Sequence, residues 1–82
     1  MVRVNNTLKY WREKVGATQK ELELRTGLAP NNWTHYEAGR EPGVTKAQLF
    51  TYALNQIAVE KGIEIKTLTV YDLYPFEGIS HR

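Results

Sequence analysis

The side chains best suited to chemistry lie near the middle of the chain and are hydrogen-bonding groups. Residues 31–38 read NNWTHYEA, and a helix that turns Trp33 and Tyr36 inward leaves polar side chains on its open side. The open positions are Asn31, Asn32, Thr34, His35 and Ala38. An asparagine amide can pair with adenine N6 and N7, and an imidazole can donate to guanine or adenine acceptors. In the alternative interpretation, Asn31 and Asn32 are polar residues of an exposed helix start.

Catalytic and metal-binding patterns do not occur in the sequence. The chain has no cysteine, and its two histidines, His35 and His81, lack metal-ligand spacing. It contains neither a glycine-rich phosphate loop nor a G-x-S-x-G motif. We therefore expect a protein that is not an enzyme and that needs neither a metal nor a cofactor.

Length and composition indicate one small, folded domain over residues 1–82. Hydrophobic residues make up 41% of the chain and charged residues 24%, close to the globular average. The lack of cysteine suits a reducing compartment, and no apolar run is long enough for a membrane span or a signal peptide. The sequence therefore predicts a soluble, cytoplasmic protein.

The excess of positive charge lies in the first half of the chain. Residues 1–41 hold seven Lys or Arg against five acidic residues, whereas residues 42–82 hold four of each. Lys20, Arg40 and Lys46 flank the polar segment and could neutralise the phosphates of an anionic partner. Taken alone, each is more often an ordinary surface cation.

Two short helices are predicted before the polar segment. Apolar residues at helical spacing predict the first over residues 7–15, with Asn6 or Thr7 as its cap. A T-x-x-E capping box predicts the second over residues 18–25. Both helices precede the segment closely enough to support it.

A tight turn and a third helix follow. Gly27 offers the positive φ that lets a chain leave one helix sharply. Pro30 fits the first position of the third helix, where its missing amide hydrogen costs nothing. Gly39 ends this helix, which carries the polar side chains described above.

A long fourth helix is predicted after the glycine- and proline-rich residues 38–43. Thr45 and Gln48 form a second capping box, and Val44 with Leu49 can form a hydrophobic staple around it. A buried stripe at helical spacing then leads to a glycine stop. The stripe and the stop are Ala47, Phe50, Ala53, Leu54, Ile57 and Ala58, and Gly62.

The sequence leaves the next segment open. Residues 63–70 are β-branched and partly alternating, so they are extended or form a short strand. Residues 69–74 can instead form a short helix, with Thr69 as cap, Asp72 at the capping-box position and Pro75 as the stop.

Aromatic and apolar side chains at helical spacing are assigned to the core. They are Trp11, Trp33, Tyr36, Phe50, Leu54, Ile57 and Leu73. Five more aromatic residues are too many to bury in a domain of this size: Tyr10, Tyr52, Tyr71, Tyr74 and Phe76. Several follow Phe50, which predicts a hydrophobic dimer surface within residues 44–76, although monomers also expose some tyrosines.

Residues 18–39, TQKELELRTGLAPNNWTHYEAG, resemble the helix-turn-helix of the phage-repressor family, also called the xenobiotic-response-element type. The matching features are a Gln after the capping Thr, a mid-helix Leu, a Gly-aliphatic turn and an apolar-x-x-aromatic-Glu-x-Gly ending. Leu8 and residues 12–16 extend the resemblance to helix one, and residues 68–75 resemble the family's last helix. The resemblance covers roughly two-thirds of the chain.

This resemblance implies an all-α, compact domain of four to five helices, with a helix-turn-helix over residues 18–38. Its third helix would enter the major groove of double-stranded DNA. We expect base contacts from Asn31, Asn32, Thr34 and His35. We expect phosphate contacts from Gln19, Lys20, Arg12, Arg40 and Lys46. The resemblance also implies that Arg12 and Glu37 pair across helices one and three; alternatively, both are exposed.

The implied function is that of a sequence-specific transcriptional regulator, in particular a repressor, and we expect a homodimer on a pseudo-palindromic site. Stand-alone domains of this family and size often belong to phages, plasmids or restriction systems. The alternative is an antitoxin-like or other helical interaction module that binds DNA mainly with a partner protein. Two residues depart from the family pattern: Glu23 replaces Ala, and Ala29 replaces the Ser or Thr cap of helix three.

Overall fold

The computed structural model describes residues 4–75 as five α-helices without a β-strand in that part of the chain. The helices are α1 (Leu8–Lys14), α2 (Gln19–Thr26), α3 (Asn32–Glu37), α4 (Val44–Glu60) and α5 (Val70–Leu73). This confirms the all-α prediction. None of the helices in the described part is long and apolar enough to cross a membrane.

The core lies between α4 and the other four helices. All six residues of the predicted α4 stripe are buried, and Phe50, Leu54 and Ile57 are completely so. The most deeply buried partners come from every other helix: Leu8, Leu22, Trp33 and Leu73. Trp11 departs from the prediction because it is only half-buried and packs against the edge of this core.

α1 and α2 begin close to the predicted positions, and side-chain hydrogen bonds cap their first turns. The Leu8 amide donates to Asn6 Oδ1 at 3.0 Å, so Asn6 provides the side chain that caps α1. The Glu21 amide donates to Thr18 Oγ1 at 3.0 Å. The predicted capping box of α2 is only half formed, because the Glu21 carboxylate turns to Lys61 Nζ at 3.3 Å.

The predicted start of α4 is wrong in detail. The helix begins at Val44 with Gly43 as its cap residue, and no side chain caps it. Thr45 therefore lies inside the first turn, where its hydroxyl cannot act as a cap. Val44 and Leu49 are 75% and 37% exposed, so the predicted hydrophobic staple does not form.

Within residues 4–75, the segment between α4 and α5 forms neither a helix nor a strand. Asn55 of α4 bonds to both backbone groups of Leu68, donating to its carbonyl at 3.0 Å and accepting from its amide at 2.8 Å. Leu68 is thereby held in the core. The short helix predicted at residues 69–74 is confirmed as α5, and the Asp72 carboxylate accepts from the Thr69 amide at 2.8 Å.

Surface ion pairs join α2 to the C-terminal end of α4. Arg25 pairs with Glu60 and, at 3.9 Å, with Glu21. Hydrogen bonding between the partners lowers the pKa of Glu60 and raises the pKa of Arg25. Because these groups are exposed, the pairs contribute little to stability and mainly orient the two helices.

The aromatic residues outside the core divide into two groups. Tyr10, Tyr52 and Tyr71 are 55%, 61% and 68% exposed. Tyr74 is half-buried, its Oη is enclosed without a hydrogen-bond partner among residues 4–75, and burial raises its pKa. Phe76, the end of the predicted dimer region, and His81 lie outside the described residues.

Asp72→Asn is expected to make the stability of the fold less dependent on pH under acidic conditions. The hydrogen bond from Lys66, followed by that from the Thr69 amide, lowers the pKa of Asp72 below its usual 3.8. A carboxyl group whose pKa is lowered by folding stabilises the fold above its unfolded pKa, and this contribution is lost as pH falls through the folded pKa. Below a pH of about 4, the melting temperature should therefore fall more steeply for the wild type than for D72N.

Circular dichroism melting curves at a series of pH values measure this difference. Glu64→Gln is the matched control, because Glu64 is exposed and outside the hydrogen bonds and ion pairs found among residues 4–75. Parallel pH profiles for wild type and D72N would show that Asp72 does not contribute as expected.

Candidate nucleic-acid interface

The turn from α2 to α3 uses one glycine and one asparagine in the left-handed region. Gly27 has φ +73° and ends α2, as predicted. Asn31 has φ +71° and ψ 0°, and the Asn32 amide donates to the Ala29 carbonyl at 3.2 Å. Pro30 therefore occupies the second position of a tight turn, with the features of type II, rather than the first position of α3. The helix starts later than predicted because Asn31 tolerates positive φ.

The side chain that caps the start of α3 comes from α2. Glu23 is 7% exposed, and its Oε2 accepts from the Trp33 backbone amide at 3.0 Å. This bond satisfies a helix N-terminal amide that the methyl group of Ala29 cannot. Glu23 thus supplies, from across the helix crossing, the cap that Ala29 does not provide.

Glu37 at the end of α3 accepts hydrogen bonds from three side chains. Its Oε2 accepts from Arg12 Nε at 2.6 Å and from the Trp33 indole Nε1 at 2.7 Å, and its Oε1 accepts from Gln19 Nε2 at 3.0 Å. The Arg12 and Glu37 side chains are 15% and 10% exposed. The predicted pair is therefore formed and largely buried, and it connects α1, α2 and α3 at one point.

Gln19 supports α3 through both polar atoms of its side-chain amide. While Nε2 donates to Glu37, Oε1 accepts from Thr34 Oγ1 at 3.1 Å. Gln19 and Glu23 are four positions apart, so they lie on the same face of α2. Two side chains of one helix face therefore hold α3 at its first turn, its middle and its end.

The C-terminal end of α3 is held by the segment that precedes α1. Asn6 Nδ2 donates to the Tyr36 carbonyl at 3.1 Å, and the Val4 amide donates to the Gly39 carbonyl at 2.9 Å. A six-residue helix is marginal in isolation. Here neighbouring elements bond to its start and its end, which keeps so short a helix in place.

The outer side of α3 is open to solvent. Asn31, Thr34 and His35 are exposed, and Asn32 is half-buried. The inner side is formed by Trp33 and Tyr36, whose rings meet Phe50 edge-on at centroid distances of 4.8 and 5.0 Å. The four predicted base-contacting residues thus lie on or beside the same short helix, with its aromatic face in the core as expected.

Three of the cations predicted from the sequence to contact phosphates are solvent-exposed. Lys20, Arg40 and Lys46 are exposed, and the Arg40 guanidinium lies 5.5 Å from the centre of the Tyr36 ring. Arg12 differs from them because its guanidinium is engaged by Glu37 and by the Ala17 carbonyl at 3.3 Å. Its role in phosphate binding stays a prediction, while its structural pairing is observed.

The sequence interpretation missed two of the residues that position α3. From the sequence, Glu23 is only a departure from the pattern of the resembling family, and Asn6 is only a candidate cap for α1. A missing cap at Ala29 beside an acidic residue on the preceding helix is the pattern that could have pointed to Glu23. Nothing local in the sequence indicates that Asn6 reaches α3.

No family model, no curated protein and no solved structure matches this chain. Within residues 4–75, no group of three or more histidine or acidic side chains is placed to hold a metal ion. The function is therefore inferred from the geometry of α2 and α3.

Proposed function

We propose that this protein binds double-stranded DNA sequence-specifically and acts as a transcriptional regulator, in particular a repressor, without enzymatic activity or a cofactor. The observation that supports this proposal most strongly is how α3 is held and which of its sides faces solvent. Its aromatic face is packed against Phe50, both of its ends are bonded to other elements, and Asn31, Thr34 and His35 face solvent. An α-helix held in this way by a partner helix across a short turn fits the major groove.

The exposed cations support a duplex as the partner. Lys20, Arg40 and Lys46 are exposed beside α2, α3 and the start of α4, where phosphates would flank a helix lying in the groove. Gln19, on the first turn of α2, would meet a phosphate near the positive end of that helix while it braces α3. We further propose that the protein binds a pseudo-palindromic site as a homodimer and acts in the cytoplasm.

Substitutions in two classes are expected to weaken DNA binding in different ways. His35→Ala and Asn31→Gly should each cost about 1 to 3 kcal/mol at particular base pairs, because each removes base-edge hydrogen bonds. Glycine is used at position 31 because it keeps the positive φ of Asn31. Lys46→Ala and Arg40→Ala should weaken all sequences similarly and reduce the salt dependence of binding, because each removes a phosphate contact. Selection of binding sites from random duplexes, followed by fluorescence-anisotropy titration of the selected site and its variants, measures both effects.

The control for this experiment is an exposed residue outside α2, α3 and the three exposed cations. Glu64→Ala changes such a residue and should leave both affinity and preference unchanged. If substitution of Asn31 and of His35 lowered the affinity for every site variant equally, neither residue would be a base contact. Weak, sequence-indifferent binding by the wild type at ~150 mM salt would contradict the function itself.

A second candidate function rests on the outer face of α4. Tyr52 and Val59 are 61% and 81% exposed, and a cleft of about 350 Å³ between them is lined also by Asn55, Gln56 and Glu60. Exposed apolar side chains of this kind favour protein contact. An antitoxin-like module that binds DNA mainly with a partner protein would use this face, and in that case the isolated chain would bind duplexes weakly.

A further inference from the structure

Three features of the first turn of α3 require a residue outside that turn to position it. Asn31 stands at φ +71°, Ala29 has no hydrogen-bonding side chain, and α3 has only six residues. A turn of this kind has no local side chain that caps the helix. Asn31 joins the turn to the helix. Its orientation therefore depends on a residue elsewhere in the chain that accepts a hydrogen bond from the backbone amides at the start of α3.

We propose that Glu23 is a positioning residue for DNA reading: its carboxylate on α2 fixes the first turn of α3 and so sets where Asn31 and His35 stand in the groove. This inference rests on the proposed function. Glu23 Oε2 bonds the Trp33 amide at 3.0 Å, and the side chain is 7% exposed, so the acceptor is held by packing. Glu23 is not a base or phosphate contact, since it acts through the Trp33 backbone.

The same carboxylate also borders the proposed interface. Glu23 lines a cleft of about 460 Å³ together with Gln19, Lys20 and Asn31. A negative charge beside phosphate-binding groups opposes non-specific affinity for DNA. Glu23 would thus favour sequence reading over affinity, because it orders the reading residues while it weakens attraction to any phosphate backbone.

The first test is independent of DNA and uses the two N–H groups of Trp33. Its backbone amide bonds to Glu23, and its indole Nε1 bonds to Glu37 at 2.7 Å. In a ¹H–¹⁵N correlation spectrum, Glu23→Ala should move the backbone amide proton upfield and leave the indole proton in place. Glu23→Gln keeps an oxygen acceptor and should move the amide less. An amide that does not move in E23A would overturn the contact.

The second test measures base discrimination as the ratio of the Kd for an unrelated duplex to the Kd for the selected site. E23A should lower this ratio roughly tenfold when corrected for the folded fraction, because the reading residues lose their register. Its affinity for the unrelated duplex should stay the same or rise. E23Q should lie between E23A and the wild type, and it keeps the test decisive if E23A does not fold.

The matched control is Glu21→Ala, because Glu21 is also an acidic residue of α2 but bonds to Lys61 and Arg25 rather than to α3. E21A should leave the ratio unchanged. A ratio unchanged in E23A and E23Q would show that Glu23 only stabilises the fold, which overturns the positioning role. A wild type without any base discrimination would instead refute the proposed function, and the Trp33 spectrum would still decide whether the contact exists.

Discussion

Glu37→Ala is expected to lower the free energy of unfolding by about 3 to 5 kcal/mol, because it leaves the largely buried Arg12 cation without its partner. It also removes the acceptor of the Trp33 indole N–H and of the Gln19 amide, at 2.7 and 3.0 Å. Domains of this size are stabilised by only ~0.05 to 0.15 kcal/mol per residue, so the loss is a large fraction of the total. The melting temperature should fall by on the order of 20 °C.

Urea denaturation followed by tryptophan fluorescence measures this loss. Glu41→Ala is the control, since Glu41 is an exposed glutamate in the loop after α3, and its removal should change stability by less than about 0.5 kcal/mol. A double-mutant cycle with Arg12→Ala separates the pair from the other two donors. A cost below about 1 kcal/mol for E37A would mean that the pair behaves as an exposed one.

Phe50→Ala should have the next largest effect, with a cost of about 3 to 5 kcal/mol from lost burial and a cavity. Phe50 is completely buried, and its ring supports both inward aromatic rings of α3, Trp33 at 4.8 Å and Tyr36 at 5.0 Å. Its removal therefore weakens the surface on which α3 rests. We expect base discrimination to fall further than affinity for unrelated DNA in whatever fraction remains folded.

Two substitutions bracket the result for Phe50. Phe50→Leu keeps most of the apolar volume and should cost less than the alanine variant, while Tyr52→Ala removes an exposed ring from the same helix and should cost little. The three unfolding free energies are compared by urea titration. A Phe50→Ala cost as small as that of Tyr52→Ala would contradict the role of Phe50 as the support of α3.

Together these expectations describe α3 as a short helix that depends on its neighbours. Glu37 secures its end, Phe50 its inner face and Glu23 its first turn. Loss of any of these contacts should affect base discrimination before it affects attraction to phosphate, because phosphate contacts tolerate small displacements and base-edge hydrogen bonds do not.

The sequence by itself determined the elements whose signals are local. Periodic apolar residues defined α1 and the buried face of α4, because one helix face repeats every three to four residues. Gly27 marked the turn because positive φ strongly favours glycine. Thr69 and Asp72 indicated α5 only as one of two alternatives, through a capping box whose residues are three positions apart. The pairing of Arg12 with Glu37 was available only through the family resemblance.

Only the tertiary structure decided how α3 is held. Glu23 reaches the Trp33 amide ten positions along the chain, and Asn6 reaches the Tyr36 carbonyl thirty positions along it. The angle at which helices cross sets such contacts, and no local pattern of residue types encodes that angle. For the same reason the sequence could not tell that Asn31 would adopt a left-handed conformation and delay the helix. A strained or unusual backbone at one residue persists only where surrounding contacts stabilise it.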